Sequence, residues 1–266
     1  MNPRHFTARF GATLVFTFAC AGTWAADEQV SLSTGFDYSS GDYGGSTSTD
    51  ILQVPVIGKY VTGPWTYKLT VPYIEVTGPG NVVPGVGRAN SVKGKNGSAV
   101  PSGTSTQSGL GDISSAVTYN LFAGSAAEPA LDLTGKIKLG TADRDKGLGT
   151  GENDYSAQVD VYQAFGPVTG FATLGYSILG SSSAIPLDNV FYVTIGASYK
   201  LDDRLSGGAM LDLRQAASSL SGERRELTGF VNYKLDNVWK VQGYVLQGFA
   251  DGSPDFGFGA LITRIF

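Results

Sequence analysis

Cysteine and histidine are almost absent: the 266 residues hold one of each, and only two methionines. Both Cys20 and His5 fall in the first 25 residues, beside Arg4 and Arg9. If that segment is removed, the rest of the chain has no disulfide and no thiol or imidazole chemistry. Charge is scarce too, at 16% of residues, with 23 acids against 19 bases. A broad basic face for nucleic acid is therefore not expected, and losing two arginines widens the acidic excess. Long apolar runs are also missing. The run from Phe10 to Ala21 covers about a dozen residues where a membrane helix needs roughly twenty, and nothing after Ala26 is long or apolar enough.

That first run has a different reading. Arg4 and Arg9 precede it without an acid, and Thr23-Trp24-Ala25 follows it with small residues at the two cleavage-determining places. This is the pattern of a secretory signal peptide, cut after Ala25. Thr17 and Phe18 do not suit the approach to a lipoprotein cysteine at Cys20. The expected organisation is a signal over 1–25 and one domain over 26–266, with no linker.

What the chain has in quantity is glycine (37), tyrosine (13) and phenylalanine (14), which with many Ser and Thr fits strands and turns better than helices. Phe191, Val193, Ile195, Ala197, Tyr199 and Leu201 alternate with Tyr192, Thr194, Gly196, Ser198 and Lys200. Likewise Leu131, Leu133, Ile137 and Leu139 alternate with Asp132, Thr134, Lys136 and Lys138. One face is apolar and the other small or charged, which averages to a hydropathy near zero, as in membrane barrels. About twelve such strands are expected, beginning near Val30, Asp50, Trp65, Gly109, Ala130, Asn153, Thr169, Asp188, Leu205, Arg224, Trp239 and Pro254. Each has the length of a tilted membrane strand.

Connections alternate in length. Thr62 to Pro64, Leu201 to Arg204 and Asp236 to Val238 are brief, whereas Ser40 to Ser48, Gly78 to Ser108 and Thr141 to Glu152 are long and polar. Short turns at one end and long loops at the other are the outer-membrane pattern, and an even strand count closes the sheet with no edge exposed to lipid. A soluble β-sandwich shares the alternation. The aromatic residues near strand ends (Trp65, Tyr73, Tyr119, Tyr155, Tyr176, Tyr199, Tyr233 and Trp239) favour a bilayer interface instead. The fold expected is an all-β closed antiparallel transmembrane barrel in the outer membrane of a Gram-negative bacterium. Its terminal Phe266 would be the signal read by the barrel-assembly machinery.

Val71-Pro72-Tyr73, Gly109-Leu110-Gly111-Asp112 and Leu148-Gly149-Thr150-Gly151-Glu152-Asn153-Asp154-Tyr155 stand in order along the chain. With these motifs the sequence resembles the outer-membrane transporters of the "MetA-pathway of phenol degradation" family. It departs from them at Gly140-Thr141-Ala142-Asp143, where that family tends to have Pro-Thr-Gly-Asp. The resemblance implies passage of aromatic or apolar small molecules.

Period-two parity sends Lys59, Lys68, Asp112, Asp132, Lys136, Lys138, Asp160, Asp212, Arg214 and Lys234 inward, with Tyr162 and Phe171 as aromatic candidates for an apolar entry. A wet lumen of both signs points to passive passage of small solutes with weak selectivity. A structural or adhesive barrel with a closed lumen is the alternative. Barrel hydrolases lean on histidine as general base, so no enzyme and no cofactor is expected. Lipid and lipopolysaccharide are the surrounding partners.

Three local features carry further expectations. The Gly147–Gly151 stretch lacks the Lys-Ser or Lys-Thr of a phosphate loop, and its neighbours Asp143, Asp145, Glu152 and Asp154 read as a solvated acidic loop in preference to a calcium site. The loop from Gly78 to Ser108 reads as a mobile surface loop in preference to a constriction folded into the barrel. Pro55 and Pro72 should pair directly across a hairpin turning at Gly63 and Pro64, with both missing donors in the gap between those two strands and the outer ladders intact.

Overall fold

The computed structural model describes residues 28–89 and 103–266, together with a two-residue pairing of Phe6–Thr7 with Ala19–Cys20. Apart from that pairing, the expected signal lies outside the described residues, as do residues 90–102 of the long loop.

Twelve strands form one antiparallel ring: β1 Gln29–Gly41, β2 Thr49–Thr62, β3 Trp65–Gly78, β4 in two pieces (Ser105–Leu110 and Ser114–Phe122), β5 Ala130–Lys138, β6 Asp154–Phe165, β7 Val168–Ile178, β8 Val190–Lys200, β9 Leu205–Arg214, β10 Arg224–Lys234, β11 Trp239–Gly248 and β12 Phe256–Ile265. Each pairs with the next, and β12 pairs with β1 from Phe256↔Ser40 to Ile265↔Ser31. The ring is closed. The Phe266 amide donates to the Val30 carbonyl at 2.9 Å, extending the seam to the last residue.

Alternation does the sorting. On β8, Ile195 is 57% exposed while Thr194 beside it is 1% exposed. The exposed apolar row of every strand makes the outer surface, where hydrocarbon is the suitable neighbour. Rings collect toward both ends of that surface: Trp65 lies 4.6 Å from Tyr119 near the short-turn end, and Tyr176 lies 4.6 Å from Phe191 near the long-loop end. Two of the short turns are built on aspartates. Asp202 accepts the Arg204 and Leu205 amides, and Asp236 accepts those of Val238 and Trp239, which holds both carboxyls below their ordinary range.

The proline pair is half as expected. Pro55 faces Pro72 in an unbroken β2–β3 ladder, as the hairpin register requires. The missing donors, however, point outward to the neighbouring strands. Pro72 offers its carbonyl to the Gly111 amide of β4, so its nitrogen faces β4 as well. There β4 breaks between Leu110 and Ser114. On the other side the β1–β2 register skips from Thr34↔Val56 to Asp37↔Gln53, beside Pro55. Two facing residues at a non-hydrogen-bonded position each turn their backbone groups away from one another, so the outer ladders, not the shared one, absorb the prolines. Gly111 suits the break because a Cβ on it would stand 2.4 Å from Ile74 and 2.9 Å from Pro72.

The long loop also departs from expectation. Val82–Val83 pairs with Gly87–Arg88 as a small hairpin, and Val82, Val83, Val86 and Ala89 are 1–4% exposed. This half of the loop folds into the barrel mouth. Its valines pack on Ile185, Leu187, Val190 and Ala217 on one side, and on Tyr43, Ile51, Ile74 and Leu148 on the other. A Gly- and Pro-rich segment reads as mobile only while its few apolar residues lack a surface, and here the inner wall supplies one.

Candidate functional site

The lumen falls into three tiers, set by how far each inward residue stands from the short turns. Nearest those turns, Lys59 and Lys68 are direct register partners, and Lys234 faces Lys240. At the level of the middle tier, one inward pair further from the turns than Ala130 and Tyr162, Asp132 and Asp160 are partners and both are buried. Asn120 donates to Asp132 at 2.7 Å, while Gln158 at 2.8 and 2.9 Å and Thr173 at 2.6 Å donate to Asp160. Such donors satisfy the oxygens of a carboxyl group buried away from bulk water.

The middle tier corrects the expectation of a wet lumen. Tyr162 (1% exposed) and Phe171 (5%) do not line an entry but pack with Ala130, Met210, Phe230 and Tyr244 in one apolar cluster, while Ile57 and Leu261 pack together elsewhere inside. Inward rows of a ring this size are close enough for long side chains to meet, as a barrel between filled and open sizes permits.

The tier under the long loops holds most of the charge. Lys138 bridges Asp112 and Asp154 at 2.9 Å each. Arg224 grips Glu226 with two nitrogens at 2.7 Å each. Thr194 donates to one oxygen of Asp212 at 2.5 Å, and Tyr192 donates to Gln158 at 2.9 Å. The Tyr192 ring lies over Gly175, where a Cβ would stand 2.1 Å from it. Arg214 donates to the carbonyls of Gly85 and Val86 at 2.7 and 2.9 Å, pinning the inward hairpin to the wall. Below that hairpin the walls leave a cavity of about 160 Å³, lined among others by Ile74, Lys136, Leu148, Asp154, Val190, Tyr192 and Asp212.

All twelve residues singled out from sequence lie on inward rows or, for Asp112, at the β4 break that opens to the cavity. Parity alone would also have placed Asp37, Arg224 and Glu226 there, since each stands two, four or six residues from an inward neighbour on its strand; Asp37 on β1 meets the Tyr244 hydroxyl of β11 over Gly259 of the intervening β12. The acids of the 141–154 loop do not converge. Asp143 accepts the Asp145 and Lys146 amides, Asp154 pairs with Lys138, and Leu148 between them is buried in the mouth.

No family model matches the chain, and no curated relative matches it. Among solved structures it is similar to the β domain of the Bordetella autotransporter BrkA, at 11% identity over 90% of this chain and 100% of that one, with a TM-score of 0.52. At that identity the likeness is one of fold, a closed outer-membrane barrel. Lower scores are found for two toluene transporters. TodX of Pseudomonas putida gives 11% identity over 90% of this chain and 88% of that one, with a TM-score of 0.43. TbuX of Ralstonia pickettii gives 12% over the same shares, with 0.41.

Proposed function

We propose that the chain is an outer-membrane channel for passive passage of small solutes, exported by a signal over residues 1–25 and folded by the barrel-assembly machinery with Phe266 as its signal. The observation that carries this reading is the cavity of about 160 Å³ in a charged vestibule, roofed by a hairpin that one arginine holds by two bonds. A barrel serving only as a wall has no need of a charged, roofed space. A hairpin held by the packing of its valines and by a few hydrogen bonds can yield to a solute, and loops of this kind commonly gate access. Exposed Phe266, with the Arg264 guanidinium 4.8 Å from its ring, is available at the rim where an assembly factor or lipid would meet it. The long loops stand where lipopolysaccharide would surround them.

The packed middle tier favours the second reading, a closed structural or adhesive barrel. Planar-bilayer recording separates the two. The folded protein should give small discrete steps with weak ion preference, and Arg214→Ala should raise the open fraction by freeing the hairpin. If neither form conducts and neither speeds uptake of small aromatic solutes into proteoliposomes, the closed barrel stands.

A further inference from the structure

The charges around the cavity do not all cancel in place. Lys138 is held by Asp112 and Asp154, Arg224 by Glu226, and Arg214 by two hairpin carbonyls. Arg214 keeps a buried Nε without a partner, and two further groups are left over. Lys136, inward on β5 and in the cavity lining, makes no ion pair or hydrogen bond to another described residue. Asp212, on β9, has one oxygen on Thr194, while the other is buried and without a partner. Gln53 Nε2, also on the lining, is a buried donor without a partner. The strands β5 and β9 are four apart in a ring of twelve, so the cation and the half-used carboxylate sit on different walls with the space between them. Ile74, Leu148 and Val190 supply apolar surface beside them.

A buried polar atom without a partner is costly, as at Asp212 and Gln53, and with the unpaired Lys136 on the same lining these groups are suited to a ligand that satisfies them together. The acceptor wanted at Lys136 is anionic, and Gln53 adds a second donor. The group wanted at Asp212 is a donor. The space between them, about 160 Å³, is the size of cavity that takes one six-membered ring. We infer that the cavity is a binding site for a small organic acid of single-ring size that carries a hydroxyl or amine donor opposite its anionic end, the acid on Lys136 and the donor on Asp212. This deepens the channel reading and rests on it for the ligand's route of entry. It also distinguishes the solute from a plain hydrocarbon, which would leave both groups unsatisfied.

Calorimetric titration of the folded protein in detergent, with 4-hydroxybenzoate, benzoate, phenol and toluene as probes, tests it. The expected order is 4-hydroxybenzoate first, benzoate and phenol weaker, toluene weakest. Lys136→Met should weaken 4-hydroxybenzoate about tenfold or more while sparing phenol, and Lys136→Arg should restore it. Asp212→Asn should reduce the advantage of 4-hydroxybenzoate over benzoate. Heat-dependent gel migration of each variant shows that it has folded. Toluene binding as well as the acids, indifference to Lys136→Met, or no binding of any probe would overturn the assignment. A barrel that conducts but binds no acid loses this site and keeps the channel; one that binds but never conducts does the reverse.

Discussion

Thr194 and Ile195 are neighbours in sequence and opposites in environment, so the same change tests both faces of the wall. Ile195 points to lipid, and Ile195→Arg should cost roughly 2–4 kcal/mol if it lies near the midplane. Parity alone makes Thr194→Arg a mild change into a wet lumen. The structure points to a larger effect, because Thr194 is 1% exposed and donates to Asp212, a bond the substitution removes. Even Thr194→Val, which keeps the shape, removes that donor and should cost about 1–3 kcal/mol. Denaturant titration of detergent-folded protein measures all three. The turn aspartates give a pH test. Their folded carboxyls lie below the ordinary 3.8 because backbone amides stabilise the charged form. A depressed folded pKa contributes stability that is present above the unfolded value and is lost as pH falls through the folded one. Asp236→Ala should therefore lower stability at neutral pH and flatten its decline below about pH 4, and a stability–pH profile of both proteins would check this.

At the scale of elements, strand number, strand parity and the pairing of Pro55 with Pro72 are legible in the sequence, because a period of two and a hairpin sum need no tertiary information. Which side of a strand its backbone groups face is not legible, since it depends on the position of the pair in the hydrogen-bonding alternation. That is why the prolines disturb β1 and β4 and leave the β2–β3 ladder intact. The inward hairpin is illegible for another reason. Val82, Val83 and Val86 show no periodicity, and only the closed wall gives them a surface to bury. Leu148 is the same case, a single apolar residue amid glycines that becomes part of the mouth. The β4 break should be intolerant of bulk. Gly111→Val sets branched carbons against Ile74 and Pro72 and should destabilise by about 1–3 kcal/mol, read as a lower temperature for the heat-dependent gel shift.

The whole molecule is electrically asymmetric along its axis. Toward the short turns the lumen carries Lys59, Lys68, Lys234 and Lys240, with Asp132 and Asp160 at the level of the middle tier. Toward the long loops Asp37, Asp112, Asp154, Asp212 and Glu226 meet Lys136, Lys138, Arg214 and Arg224. Total charge in the lumen is thus nearly balanced, which suits weak selectivity, but its distribution is not. A charged mouth with low-dielectric walls concentrates counter-ions on its own side. Anions are therefore enriched at the short-turn end and not at the other, so a current driven one way draws on that enrichment and a current driven the other way does not. The open channel, best studied in the Arg214→Ala form, should rectify at low ionic strength. At about 1 M salt, where the screening length is about 3 Å, the rectification should vanish. Replacing Lys59 and Lys234 by Glu should reverse its direction, since it makes the inner mouth acidic without touching the cavity. Rectification that persisted in high salt, or ignored the double substitution, would place its origin in the motion of the hairpin and not in the charge of the mouth.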